Sequence, residues 1–85
     1  MALGSLSASC ITLLDALVCD HGSARVMAWH VSSSVMMREK TARRSWARLH
    51  ELKLVQIDRP HLHRKLVQAT ELGKAFIDAQ YQETA

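Results

Sequence analysis

Between residues 6 and 19 the apolar side chains fall at Leu6, Cys10, Leu13, Leu14, Leu17 and Val18. Steps of three and four put them on one face of a helix. Ser7 or Ser9 is placed to cap its start, and His21-Gly22 ends it, because glycine tolerates the left-handed terminal conformation. Residues 24–37, "ARVMAWHVSSSVMM", admit two readings. In one, Arg25–Met27 is a short strand and Met27–Met36 a helix, with Val31 and Val35 inward and Ser32 small enough for two helices to approach. In the other, Ser23 caps a helix that runs to Val31 and turns at Ser32-Ser33-Ser34, since serine competes for backbone hydrogen bonds and prefers turns.

The next segment is plainer. Over residues 39–52, Ala42, Trp46 and Leu49 form one apolar stripe. Lys40, Thr41, Arg44 and Arg48 share the opposite face, and Arg43 lies on the flank, four residues from Glu39. "LVQID" (54–58) has strand character, "RPHLHR" (59–64) contains the only proline and reads as a turn, and "KLVQAT" (65–70) reads as a second strand. In 71–82, Leu72, Ala75, Phe76 and Ala79 recur at helical spacing, with Thr70 as cap. The predicted order is helix, short strand, helix, helix, strand, strand, helix. This is a mainly α chain with a small β-hairpin (α+β), one domain over residues 1–85. A core this small is marginal alone, and a dimer would bury more.

Charge sharpens the picture. Residues 38–65 hold nine Lys or Arg against three acids, a net of +6, while the rest holds two against five, a net of −3. Arg44 and Arg48, four apart, repel each other by ~0.2–0.5 kcal/mol in an isolated helix. A basic segment on an otherwise acidic chain is the footprint of a polyanion partner. Its plain alternative is a solvated basic face.

Cys10 and Cys19 lie too far apart along one helix to bridge, so both are expected as small buried hydrophobes in a reducing compartment. The start lacks a basic stretch and carries Asp15, which argues against a signal peptide. No stretch approaches the ~18 apolar residues of a membrane span. A cytoplasmic location is expected. His61-x-His63 is a weak metal pair with no cysteine or carboxylate cluster beside it, and Cys19-x-His21 a weaker one. Neither a nucleophile motif, a phosphate-binding glycine loop nor a spaced carboxylate pair is present. No enzyme activity and no cofactor are expected. Trp29 and Trp46 are expected in the core, while Phe76 and Tyr81 either pack on the first helix or offer a partner surface.

The runs "RLHELKLVQIDR" and "ATELGKAFI", with Val31, Ser32 and Val35 before them and Thr41-Ala42-Arg43-Arg44 then Leu49, resemble the winged helix-turn-helix domain of MarR-type transcription regulators over about residues 10–79. In that family a Leu-small-x-x-Leu helix precedes a Thr-Val-x-Arg recognition helix, which ends in Leu-Glu-x-x-Gly-Leu-Val; a basic wing and a Thr-x-x-Gly helix start follow. Here Lys53 replaces the glycine after the recognition helix, Met36 stands where a turn glycine is common, and Arg38 stands where a serine would cap. The long flanking helices through which such regulators dimerise are not in the chain. The resemblance implies double-stranded DNA as partner. Arg38, Lys40, Thr41, Arg43, Arg44 and Arg48 would serve on the recognition helix, and Arg59, His61, His63, Arg64 and Lys65 on the wing. It also implies a homodimer, which would have to use the first and last helices. Winged helices also bind proteins, so a protein-interaction module is the rival function.

Overall fold

The computed structural model describes residues 6–22, 24–61 and 64–84. Seven elements follow in order: α1 (Ala8–His21), β1 (Val26–Met27), α2 (Ala28–Ser34), α3 (Glu39–Glu51), β2 (Val55–His61), β3 (Arg64–Ala69) and α4 (Glu71–Thr84). This is the winged helix-turn-helix arrangement. The three strands form one antiparallel sheet in the order β1-β3-β2. Val26 lies opposite Val67, and Ile57 lies opposite the same residue from the other side.

Ser7 is the cap of α1; its hydroxyl accepts from the Cys10 N–H at 3.3 Å, and Gly22 closes the helix at φ 64°. Leu13, Leu14 and Leu17 of α1 meet Val31, Trp46, Leu49, Leu54, Val55, Val67 and Ile77 in the core. Burying a side chain of this kind contributes roughly 1.5–3 kcal/mol. Leu6 and Val18 of the predicted stripe are only partly buried.

The serines lie inside α2, not in a turn after it. The Ser32 hydroxyl donates to the Trp29 carbonyl at 3.1 Å and Ser34 to the Val31 carbonyl at 2.7 Å. These bonds satisfy the hydroxyls within the helix, so their pull toward a turn is lost. Ser32 is buried, as expected of a small residue at a helix contact. The cap at Ser23 belongs to the discarded reading and lies outside the described residues. The retained reading is also shortened, because α2 ends at Ser34 and Val35 is only partly buried.

Two helix ends share one geometry. After α2 the Met37 N–H donates to Ser32 O and the Met36 N–H to Ser33 O, both at 3.0 Å. After α3 the Leu54 N–H donates to Leu49 O at 2.9 Å and the Lys53 N–H to His50 O at 3.0 Å. Each is a Schellman closure, which requires a left-handed residue. Met36 (φ 55°) and Lys53 (φ 64°) occupy those positions, and both are non-glycine. These are the two places where the family pattern has glycine, and a side chain there is strained by ~1 kcal/mol or more.

Strands β2 and β3 continue through Arg59-Pro60-His61 and from Arg64. The turn predicted over 59–64 is therefore shorter and the wing longer. The ladder is irregular between Asp58 and His61, the stretch that holds Pro60, which has no N–H to give.

Thr70 caps α4. Its hydroxyl accepts from Gly73 N–H at 3.1 Å and donates to the Lys53 carbonyl at 2.7 Å. The inward face of α4 is Gly73, Phe76 and Ile77; of the four residues at helical spacing only Phe76 lies on it, while Leu72 is 48% exposed and Ala75 and Ala79 lie in solvent. The reason is at Gly73. A methyl group there would run into the Leu54 carbonyl oxygen and come within 3.3 Å of Leu14 Cδ1. With only a hydrogen, α4 seats directly on the Leu54 backbone, and that contact sets its rotation.

Two further expectations fail. Trp29 is 59% exposed, because Ala28, Val31 and Ser32 take the inner face of the two-turn α2. Cys19 is exposed, while Cys10 is buried with its thiol toward Ser45 O. Phe76 is buried and packs in the core, whereas Tyr81 is half exposed and donates to Asp15 of α1 at 2.6 Å. Asp15 holds the Tyr81 phenol well above its ordinary range. For Cys19, the hydrogen bond with Tyr81 lowers the thiol pKa, but desolvation, Asp15 and Asp20 outweigh it and leave the thiol raised.

Candidate nucleic-acid interface

Helix α3 is held from below. Ala42, Ser45, Trp46 and Leu49 are buried, so the remaining positions are aimed outward by the packing. Lys40, Thr41, Arg44 and Arg48 are all exposed on that outer face. Arg48 pairs with Glu51 at 3.0 Å, and Arg43 on the flank pairs with Glu39 at 2.8 Å. Among the described residues Lys40 and Arg44 have no carboxylate partner. Exposed pairs of this kind are worth at most ~1 kcal/mol, so a phosphate can replace the carboxylate at small cost. Arg38 is the N-cap residue of α3 and its side chain makes no capping bond. It is exposed beside the helix start.

The wing brings up the second group. Arg59 and Arg64 are exposed, and Lys65 is half-buried. His61 ends β2, and His63 lies outside the described residues. Arg25 of the β1 approach pairs with Asp58 at 3.2 Å, so one of the three acids in the basic segment is neutralised at the base of the wing.

The structure divides the predicted residues into two sets. Lys40, Thr41, Arg44 and Arg48 look outward from α3. Arg43, Arg59 and Lys65 instead converge on a cleft of about 540 Å³ between α3 and the wing, lined also by Ala47, His50 and Ile57. Burial, then Arg59, then Arg43 hold the Lys65 ammonium below its usual range. His50 was not foreseen. Its place was readable, because Arg43, Ala47 and His50 are spaced four and three apart on one helix flank. What was missing was any sign that the wing would face that flank.

No group of three or more His, Cys, Asp or Glu that could hold a metal ion occurs among the described residues. No described helix is long and apolar enough to cross a membrane.

The sequence matches no protein-family profile and no curated protein. Solved structures do match. BpsR of Bordetella bronchiseptica, whose DNA binding is regulated by 6-hydroxynicotinic acid, superposes with TM-score 0.77 at 23% identity, covering 92% of this chain and 54% of BpsR. NMB1585, a MarR family regulator from Neisseria meningitidis, gives 0.75 at 17% identity, covering 95% and 56%. TubR, bound to 24 bp of tubC from Bacillus thuringiensis, gives 0.73 at 14% identity, covering 88% and 81%. The chain therefore spans a little over half the length of the first two. It has the winged helix-turn-helix fold of the MarR-type transcription regulators.

Proposed function

We propose that this chain is a sequence-specific DNA-binding transcription regulator of the MarR-like kind. Helix α3 enters the major groove. Arg44 and Arg48 reach base edges or flanking phosphates from its outer face, and arginine pairs bidentately with guanine O6 and N7. Arg38, Lys40, Thr41 and Arg43 serve near the helix start. Arg59, His61, His63, Arg64 and Lys65 run along the backbone or into the minor groove. The protein acts in the cytoplasm as a homodimer through α1 and α4. The observation that carries the reading is the outer face of α3: an exposed basic surface on which, among the described residues, Lys40 and Arg44 face no carboxylate. The mutual repulsion of Arg44 and Arg48 is then relieved when DNA is bound.

The test compares Arg44→Ala with Arg64→Ala on a site selected from a random pool and on random duplex, at several salt concentrations. Arg44→Ala is expected to lose ~1–3 kcal/mol and relax preference at one or two positions. Arg64→Ala is expected to weaken all sequences alike and reduce the salt slope by about 1. If both variants bind both duplexes as the parent does, the basic patch is not a DNA surface and a protein partner takes its place.

A further inference from the structure

We propose that the cleft between α3 and the wing seats one phosphodiester group of the bound DNA, with Arg43, His50, Arg59 and Lys65 as its donors. The proposal rests on the DNA-binding reading above and goes beyond it. It gives Arg43 a phosphate to hold, adds His50, and gives the wing and the helix flank one shared ligand.

Three elements deliver the donors: Arg43 and His50 from α3, Arg59 from β2 and Lys65 from β3. No carboxylate lines the cleft among the described residues, and its remaining walls, Ala47 and Ile57, are apolar. Donors converging from separate elements suit the tetrahedral oxygens of a phosphate better than a flat carboxylate. Ile57 and Lys65 are half-buried at the floor of the cleft, while Arg43, Ala47, His50 and Arg59 form its exposed rim. The position also fits. A helix with its side chains is ~10–12 Å across and the major groove is ~12 Å wide. The outermost face of a docked helix therefore meets bases, while its flank meets the phosphate wall. Arg44 lies on the outer face, and Arg43, Ala47 and His50 lie on the flank.

The free protein carries the matching deficit. Lys65 is half-buried and faces Arg59 and Arg43, with His50 across the cleft and Glu39 already engaged by Arg43. Its ammonium is accordingly held below the ordinary lysine range. A phosphate between these cations favours the charged form. Affinity is then full below the free-protein pKa of Lys65 and falls as pH rises through it, at lower pH than an ordinary lysine would give.

The experiment measures binding of a selected duplex and a random duplex by fluorescence anisotropy, for the parent, Lys65→Met, Lys65→Arg, His50→Gln and Lys74→Met as a distant control. Lys65→Met and His50→Gln are expected to lose about tenfold, equally on both duplexes. Lys65→Met should also make the log–log salt slope shallower by about 0.9 and abolish the early alkaline loss of affinity. Lys65→Arg should keep most of the parent's affinity, and Lys74→Met all of it. His50 is exposed, so its variant carries the test if Lys65→Met fails to fold. A parent that binds duplex with a steep salt slope, alongside cleft variants that match it, overturns the phosphate seat and leaves the DNA-binding reading standing. A parent that binds no duplex overturns both. Inorganic phosphate that shifts the His50 ring resonances of such a parent would then mark the cleft as a site for free anions.

Discussion

Replacing Gly73 with alanine pits two effects of opposite sign against each other. In an open helix position the change gains about 1 kcal/mol, because alanine loses less backbone entropy. Here the added methyl meets the Leu54 carbonyl oxygen, with the Leu54 carbonyl carbon at 3.1 Å and Leu14 Cδ1 at 3.3 Å. The obstacle is backbone, which cannot swing away as a side-chain tip can. Helix α4 must lift, and overpacking of this kind costs ~1–3 kcal/mol. Lifting also stretches the Thr70 N–H to Leu54 O bond (3.1 Å) and the Thr70 Oγ1 to Lys53 O bond (2.7 Å). Their loss adds ~0.5–1.5 kcal/mol each. The contact outweighs the propensity, and the expected net loss is about 3 kcal/mol. For a domain of this size that lowers Tm by roughly 12–24 °C. Urea denaturation followed by tryptophan fluorescence, with thermal melts by circular dichroism, measures it. A Gly73→Ala protein as stable as the parent, or about 1 kcal/mol more stable, would show that α4 does not rest on Leu54 and that its rotation has another cause.

The strained helix ends give the opposite expectation: Lys53→Gly and Met36→Gly should each raise stability by about 0.5–1 kcal/mol in urea melts, and a loss at both would contradict the left-handed geometry. Arg38→Ser should cap α3 and add ~1 kcal/mol while weakening binding to duplex DNA; an unchanged melt would mean that the helix starts elsewhere. Trp46→Ala should cost ~3–5 kcal/mol, enough to unfold a domain this small, and a cooperative melt near the parent's Tm would contradict the register of α3. Leu72→Glu should leave the fold intact and shift the protein toward monomers in sedimentation, whereas a parent that is already monomeric at high concentration removes the proposed homodimer.

The core of α1 and α3 was legible because the apolar steps at Leu13, Leu14, Leu17 and at Ala42, Trp46, Leu49 are regular, and in α3 they are set among charged residues. Met36 and Lys53 were legible for a different reason. They broke the family's glycine pattern, and the structure places both at positive φ, so the sequence departs where the backbone still demands the same conformation. The misses share a cause. Leu72, Ala75 and Ala79 have the right spacing for a core stripe, but a backbone contact at Gly73 sets the rotation of α4, and no periodicity carries that information. The serines of α2 satisfied themselves on neighbouring carbonyls, a choice propensity leaves open. Residue type alone places Trp29 and Cys19 inside, whereas the packing of Ala28, Val31 and Ser32 and of Cys10, Leu13 and Leu17 leaves both outside. Of the candidate site, the residue types and the outer face of α3 were readable. The split between that face and the cleft was not, because it depends on where the wing returns.

Leu54 is the point where three parts of the molecule are bolted together. Its N–H closes α3 on Leu49, its carbonyl holds the start of α4 through Thr70, and the next residue opens the wing. Thr70 clamps the same joint from the other side through Lys53. Leu54 is fully buried, so the joint lies inside the core rather than at the surface. The end of α3, the first residue of the wing and the start of α4 therefore share one backbone joint, so a change that displaces any of them strains the other two.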